Sequence, residues 1–297
     1  MSEVVVRATD TKKDLERKVA IATIIGTLQS TFTKFPYLRK VWQNNTEEER
    51  LLGVSLTGIM DNPLTTSANP KLPALLEHLQ SVAVEVNAEW AEKLGIPASA
   101  AITCVKPSGT VSQLVDSASG IHARHSEYYI RTVRSDTKDP LTQFMIDQGI
   151  PSEPCAHKPD STVVFSFPQK SPANAVLTKN TPALVQLNTW LLYQRHWCEH
   201  KPSVTINVLK DEWMEVGAFV YANFDEMSGG SFLPYDEHIY QQAPYQDCTK
   251  EKHELFSALM PAAIDWSKLA EYEVEDTTVG SQTFACSGGS CEIVDLV

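Results

Sequence analysis

Two cysteines near the end of this 297-residue chain are separated by four small residues. The segment reads Cys286-Ser-Gly-Gly-Ser-Cys291, and its glycines admit the backbone conformations that a tight loop needs, so the two sulfurs can meet. A chain end that packing does not hold can carry thiols to a second site and back. The spacing therefore predicts a pair that cycles between dithiol and disulfide and delivers reducing equivalents.

Two plainer interpretations of this pair stay open, a structural tail and half of a metal site. A zinc site usually takes a second pair of ligands at similar spacing, whereas the other cysteines stand singly. They are Cys104, Cys155, Cys198 and Cys248. His196 and His200 could share one helix face and one metal ion, but the sequence shows no third ligand. We therefore expect no metal.

The segment Lys106-Pro-Ser-Gly-Thr-Val-Ser112 is the second candidate for chemistry, because it follows a predicted strand. At such a turn backbone N–H groups are free to point outward, Gly109 permits close approach, and Ser108 and Thr110 offer hydroxyl donors. These features favour a phosphate site. The glycine and lysine order of a P-loop is absent, so an ordinary strand-to-helix turn is an equally open alternative.

The composition limits the class of partner. A net charge of −12 disfavours attraction to a nucleic-acid backbone. No stretch approaches the ~18 consecutive apolar residues of a membrane span, and the first residues lack a signal-peptide profile. We expect a cytoplasmic globular protein without nucleic-acid or membrane partners, in which the cysteines serve chemistry or fill the core rather than form a disulfide framework.

Hydrophobic periodicity predicts alternating strands and helices. The predicted strands are residues 2–7, 100–105, 128–133, 162–167 and 203–208, and the predicted helices are 10–32, 70–94, 139–148, 181–200 and 211–224. A capping-box pattern at Thr46 and Glu49 predicts the start of a further helix running to Gly58. The alternation favours an α/β fold with largely parallel strands over residues 1–276, followed by a mobile redox tail over 277–297.

Taken in order, five motifs resemble the C-terminal half of an adenosylcobalamin-dependent (class II) ribonucleotide reductase, closest to the monomeric ribonucleoside-triphosphate reductases. They are Arg50-Leu-Leu-Gly-Val-Ser-Leu-Thr-Gly58, Cys104-Val-Lys-Pro-Ser-Gly-Thr-Val-Ser112, Gly120-Ile-His-Ala-Arg-His-Ser-Glu-Tyr-Tyr-Ile-Arg-Thr-Val-Arg134, Ser228-Gly-Gly-Ser-Phe-Leu-Pro234 with Ala243-Pro-Tyr245, and the closing cysteine pair. The resemblance spans essentially the whole chain. It implies the later strands of a ten-stranded α/β barrel built from two antiparallel five-stranded halves.

The resemblance also implies a reaction. In that family, cleavage of the cobalt–carbon bond of adenosylcobalamin generates a thiyl radical, which abstracts the ribose 3′-hydrogen, and two cysteines then reduce the 2′-carbon and become a disulfide. The implied site residues are Pro107, Ser108, Gly109, Thr110 and Val111 for the substrate phosphates, and Cys286 and Cys291 for re-reduction of that disulfide. The implied partners are a ribonucleoside triphosphate, a thioredoxin-like reductant and the N-terminal half of the reductase.

The chain departs from the family pattern at its radical centre. The Asn-x-Cys-x-Glu motif of the radical cysteine is absent, and His196-Trp-Cys198-Glu-His200 is a look-alike in the wrong segment. The two reducing cysteines also belong to the earlier half, so we expect no activity without that half. Two alternatives stay open: a fragment of a metal-radical (class I type) large subunit, and a non-enzymatic nucleotide-binding or thiol-exchange module.

Overall fold

The structure, a computed structural model, describes residues 1–235 and 241–274 in full, and the backbone alone of 285–287 and 290–292. Contacts divide the chain into two compact units. The first comprises Met1–Arg124 and Ala175–Pro234, and the second comprises His125–Asn174 and Tyr235–Val297.

Strands and helices follow each other along most of the described chain. The strands are β1 (Ser2–Val5), β2 (Val54–Thr57), β3 (Thr103–Cys104), β4 (Tyr128–Asp136), β5 (Ser152–Pro154), β6 (Thr162–Lys170), β7 (Thr205–Val208), β8 (Ser231–Pro234), β9 (Tyr245–Asp247), β10 (Ala285–Ser287) and β11 (Ser290–Glu292). The α-helices are α1 (Lys12–Gln29), α2 (Lys40–Glu49), α3 (Leu72–Leu94), α4 (Val111–Leu114), α5 (Pro140–Asp147), α6 (Ala183–His196), α7 (Trp213–Ala222), α8 (Lys250–Leu259) and α9 (Leu269–Tyr272).

The first unit is built on a parallel sheet in the order β1–β2–β3. Parallel neighbours need crossover connections, which α1 and α2 provide between β1 and β2, and α3 provides between β2 and β3. A separate parallel pair, β7 with β8, lies in the same unit. The sheet therefore brings the end of β2 and the end of β3 to one edge.

Helical spacing of apolar residues explains how α1 and α3 pack together. The buried face of α1 carries Leu15, Val19, Ala22 and Gly26, spaced by three or four residues. Thr11 and Asp14 form a capping box at the start of α1. Gly95 ends α3 in the left-handed region, with φ of 66°. Both predicted helices are confirmed.

Two buried tryptophans fix α6 to the sheet. Trp190 and Trp197 have no exposed surface. Trp190 Nε1–H donates to the carbonyl of Pro202 at 3.1 Å, and Trp197 Nε1–H donates to the carbonyl of Cys104 at 2.8 Å. Because buried indole N–H groups need acceptors, the Trp197 bond holds the end of β3 in place, and the Trp190 bond holds the segment before β7.

The second unit contains an antiparallel sheet in the order β5–β6–β4–β9. Its long pair, β4 with β6, runs from Tyr128 opposite Lys170 to Asp136 opposite Thr162. The predicted strands at 128–133 and 162–167 are confirmed, but their parallel arrangement is wrong. Consecutive long strands joined through α5 and the short β5 pair antiparallel here.

Mixed α/β content is confirmed, whereas the ten-stranded barrel stays a prediction. In residues 1–235 and 241–274 the sheets have two to four strands and do not close. The prediction of a helix starting at Thr46 is wrong, because Thr46 lies inside α2 and its hydroxyl donates to the carbonyl of Trp42 at 2.8 Å. The apolar run that follows forms the fully buried β2 instead.

Within the parts of the chain that the structure describes, no helix combines the length and apolar character that crossing a membrane requires.

Substituting Gly58 is expected to destabilise the first unit. Gly58 follows β2 with φ of 78°, and a Cβ there would lie 2.4 Å from the carbonyl oxygen of Val6. Gly58→Ala should therefore lower the free energy of unfolding by more than about 2 kcal/mol. Gly217→Ala is the matched control, since a Cβ there meets no atom within 4 Å and helix α7 gains about 0.5–1 kcal/mol. Urea denaturation checks both, and equal midpoints would contradict the prediction.

Candidate functional site

The predicted phosphate segment lies between β3 and α4, and hydrogen bonds hold both its ends. The Lys106 N–H donates to Ser55 Oγ at 3.0 Å, which ties the start of the segment to β2. The Ser112 N–H donates to the Ser108 carbonyl at 3.1 Å, and the Ser112 hydroxyl donates to the same oxygen. Pro107, Gly109 and Thr110 are exposed between these two anchors.

The exposed turn presents a row of hydrogen-bond donors. Within the described residues, the N–H groups of Ser108, Gly109, Thr110 and Val111 donate to no acceptor. Ser108 is only 3% exposed, and its hydroxyl has no partner there either. A buried polar group without a partner costs about 1–3 kcal/mol, so this arrangement suits a bound acceptor. An anion with several oxygens matches such a row.

Gly109 leaves room for that anion. A Cβ built on Gly109 meets no atom within 4 Å, so space is open on the side to which it would project. The residues from Pro107 to Val111 that the sequence predicted as one site are thus contiguous and on the surface, apart from the buried Ser108 side chain. Their role in phosphate binding stays a prediction.

A lysine that the sequence did not single out as a site residue lies at the start of the segment. Lys106 Nζ is 3.2 Å from Glu3 Oε2, and the Glu3 side chain is 8% exposed. The other Glu3 carboxylate oxygen is buried without a partner in the described chain. Glu3, the partner of Lys106, lies in β1 and is more than 100 residues away in sequence, so no local sequence signal reveals the pair.

Glu3, Ser55 and Cys104 occupy one row of the parallel sheet, each opposite the next. Burial raises the pKa of Cys104 to about 11, although a hydrogen bond with Ser55 opposes the rise. Burial also raises the pKa of Cys198. Both side chains are therefore protonated thiols at neutral pH, which makes them poor nucleophiles.

Arg124 belongs to a basic stretch of the sequence, with His125, Arg131 and Arg134, and it is held in the first unit. It forms ion pairs with Asp61 at 3.0 Å and Asp116 at 2.7 Å. All three of its guanidinium nitrogens donate to Asp61 or Asp116 and its side chain is buried, so it is not free to meet phosphate.

The rest of the basic stretch makes contacts inside the second unit. His125 Nε2 is 2.7 Å from Asp247 Oδ1. Arg131 lies 4.5 Å from the ring centre of Tyr245 and donates to the carbonyl of Pro244. Both side chains are thus engaged by groups of the protein itself.

The two histidines considered for a metal ion bind different partners. His196 Nδ1 is 2.8 Å from Glu77 Oε1, and His200 Nε2 is 2.7 Å from the carbonyl oxygen of Leu52. In the described residues, no three histidine, cysteine, aspartate or glutamate side chains are grouped to hold a metal ion.

The tail cysteines are described only through their backbone. Strands β10 and β11 pair antiparallel, and this register places Cys286 opposite Cys291. Their side chains, and most of the predicted tail over 277–297, lie outside the described residues. The dithiol–disulfide role of the pair stays a prediction.

Comparison with curated proteins gives a consistent set of relatives, although no protein-family model matches the chain. The adenosylcobalamin-dependent ribonucleoside-triphosphate reductase of Euglena gracilis is 29% identical over 256 residues, which is 84% of this chain and 35% of that protein. The enzyme of Lactobacillus leichmannii is 26% identical over 87% of this chain and 39% of its own length. A probable adenosylcobalamin-dependent ribonucleoside-triphosphate reductase of Dictyostelium discoideum is 30% identical over 71% of this chain and 27% of its own length.

A solved structure shares the fold. The crystal structure of a B-12 dependent (class II) ribonucleotide reductase superposes with a TM-score of 0.73 at 23% identity, covering 89% of this chain and 40% of that one. The chain thus spans well under half the length of the relatives that it matches. The resemblance that the five motifs indicated is confirmed, and this chain is a relative of the adenosylcobalamin-dependent (class II) ribonucleotide reductases.

Proposed function

We propose that this chain is the C-terminal portion of an adenosylcobalamin-dependent ribonucleoside-triphosphate reductase, which converts ribonucleoside triphosphates to deoxyribonucleotides by a thiyl-radical mechanism. The observation that carries the proposal is the row of N–H groups from Ser108 to Val111 beside the buried, unpartnered Ser108 hydroxyl. These donors fall in the motif that the family resemblance assigns to substrate phosphates. The names of the relatives, similar over 84–87% of this chain, support the reaction class.

The phosphate segment binds by geometry and charge together. Backbone N–H groups and the Ser108 hydroxyl donate to phosphate oxygens, and Gly109 leaves the path to them open. Lys106 adds a cation at one end, although Glu3 neutralises part of its charge. Because donors fixed before binding need no reordering, the segment positions the triphosphate at low entropic cost.

The tail pair supplies electrons by thiol–disulfide exchange. A thiolate from Cys286 or Cys291 attacks the active-site disulfide formed in each turnover, which gives a mixed disulfide and releases one active-site thiol. The second tail thiolate then attacks the tail sulfur of that mixed disulfide and releases the other. Two electrons and two protons pass from the tail, and a thioredoxin-like dithiol protein returns them. Residues 277–297 form this redox tail in the proposal.

The remaining parts of the proposal concern the partner half. The sequence lacks the Asn-x-Cys-x-Glu motif, so the N-terminal half supplies the radical cysteine and completes the ten-stranded barrel with residues 1–276. Adenosylcobalamin, when bound, supplies the homolysis that starts the radical chemistry. We assign no residue of this chain to the contact with the corrin ring. The assembled enzyme is cytoplasmic in this proposal.

Reconstitution tests the proposed function. This chain is mixed with a co-expressed N-terminal portion, adenosylcobalamin, a ribonucleoside triphosphate and a dithiol reductant, and deoxynucleotide formation is measured. We expect product from the mixture and none from either chain alone, because the radical cysteine and the phosphate segment then reside on different chains. Product formed equally without cobalamin would favour a metal-radical reductase. No product, while a full-length relative works in the same assay, would contradict the proposal.

Substituting Gly109 tests the phosphate segment without disturbing the fold. Gly109→Ala places a methyl group in open space on the ligand side of the turn. We expect the free energy of unfolding to change by less than about 0.5 kcal/mol, and the affinity for inorganic triphosphate to fall roughly tenfold or more. Calorimetric titration measures the affinity, with Gly217→Ala as control. Unchanged affinity would show that the phosphate binds elsewhere.

Substituting Cys286 tests the tail. In the reconstituted enzyme, Cys286→Ser should leave a single turnover intact, because the active-site dithiol is already reduced at the start. Multiple turnover with a protein reductant should be abolished, because exchange needs both tail thiols. Rapid-quench and steady-state assays separate the two, with Cys248→Ser as a control thiol. Equal loss in both assays would instead place Cys286 in folding or in the chemical step.

A further inference from the structure

A buried arginine joins the phosphate segment to the end of β2. Arg124 is 5% exposed. Its Nε and Nη2 donate to the two carboxylate oxygens of Asp61, both at 3.0 Å, and its Nη1 donates to Asp116 Oδ1 at 2.7 Å. Asp61 lies in the turn that follows β2, and Asp116 follows α4. One guanidinium therefore spans two turns that are far apart in sequence.

The Asp116 turn is held by its backbone as well. The Asp116 carbonyl accepts from Arg124 Nη2 at 3.2 Å and from Arg7 Nη1 at 2.8 Å. The Ala118 N–H donates to Asp61 Oδ2 at 2.8 Å. Asp116 itself has φ of 46°, a left-handed conformation that aspartate tolerates better than most residues. Bonds from Arg7, Asp61 and Arg124 thus add to the local backbone bonds of the turn.

From this turn, hydrogen bonds lead back to the phosphate segment. The Ser117 N–H donates to the Ser112 carbonyl at 2.9 Å, and the Ser112 N–H donates to the Ser108 carbonyl at 3.1 Å. The orientation of the Ser108 carbonyl fixes the peptide plane that also carries the Gly109 N–H. A shift at Asp116 would therefore turn the Gly109 N–H, one of the donors of the proposed phosphate site.

We infer that Arg124 is a positioning residue for the phosphate segment, an inference that rests on the proposed function. It touches no phosphate, since its donors are directed at the two aspartates. A contribution to folding stability does not by itself explain such a buried ion pair, because the cost of desolvating the two charges offsets much of the attraction between them. A guanidinium fork does fix the angle and separation of two carboxylates, which a lysine cannot do.

Three variants separate positioning from folding. Arg124→Lys keeps the charge and loses the fork. Asp116→Gly removes the carboxylate where glycine suits φ of 46°, and this side chain is 70% exposed, so the core is not disturbed. Asp116→Asn keeps an acceptor and is the conservative variant. Arg195→Lys is the matched control, because Arg195 forms an exposed fork with Glu226, at 2.7 Å for its Nη2.

Two readouts are measured, the affinity of the full chain for inorganic triphosphate and the kinetics of the reconstituted enzyme. We expect Arg124→Lys and Asp116→Gly to weaken binding roughly tenfold or more, since small misplacement of fixed donors is costly. Asp116→Asn should recover most of the affinity, and Arg195→Lys should match the unmodified chain. In the enzyme, the weakened variants should raise KM for the ribonucleoside triphosphate with kcat largely retained.

The outcomes distinguish this inference from the proposed function. If Gly109→Ala loses triphosphate binding while Arg124→Lys and Asp116→Gly bind as the unmodified chain does, the positioning role is wrong and the phosphate site stands. If the unmodified chain binds no triphosphate, both are wrong. If Asp116→Asn and Asp116→Gly lose binding equally and both melt early, the ion pair serves folding, and the positioning role is again overturned.

Discussion

The proposed function depends on one physical constraint: the consecutive backbone N–H groups of residues 108–111 need hydrogen-bond acceptors that the described chain does not provide. Amide N–H groups are obligatory donors, and nearly all buried ones in proteins are paired. From Ser108 to Val111 they are unpaired within the described chain, because the segment follows β3 and precedes the first turn of α4. Their acceptors must come from solvent or a ligand. The buried Ser108 hydroxyl faces the same requirement, without ready access to solvent.

The rest of the first unit serves to hold that segment still. Ser55 on β2 binds its start, and Asp61 in the turn after β2 binds Arg124, which pairs with Asp116 in the turn that follows the segment and α4. Gly58 makes this possible, since its left-handed conformation turns the chain past the Val6 carbonyl, where a side chain has no room. The parallel strands β2 and β3 thus place two turns at one edge of the sheet, and polar contacts of Arg124 connect these turns.

Local sequence patterns predicted most of the helices well, because their causes are local. Spacing of Leu15, Val19 and Ala22 defines one face of α1, and Gly95 ends α3 through its own backbone freedom. At Thr46 the same kind of reasoning failed, since a capping pattern inside an existing helix has no free N–H to bind. Strand direction in the second unit depends on tertiary pairing that no local pattern contains.

The candidate site shows the same contrast between features with a local cause and features that depend on tertiary contacts. Residues 107–111 were predicted as a phosphate site from their types and from a family resemblance, and that role stays a prediction, whereas the pairs of Lys106 with Glu3 and of Arg124 with Asp61 could not be predicted. Those pairs join residues 63 or more apart in sequence, and charge alone does not reveal which partner is near. The fold had to be known before the partners of the basic stretch around Arg124 could be identified.

The most direct measurement is a crystal structure of this chain, with the N-terminal portion, bound to a ribonucleoside triphosphate. We expect phosphate oxygens about 3 Å from the N–H groups of residues 108–111 and from the Ser108 hydroxyl. Arg124 should remain on Asp61 and Asp116, without contact to phosphate. Triphosphate density at another place, with the N–H groups of residues 108–111 still facing solvent, would show that this segment is not the phosphate site.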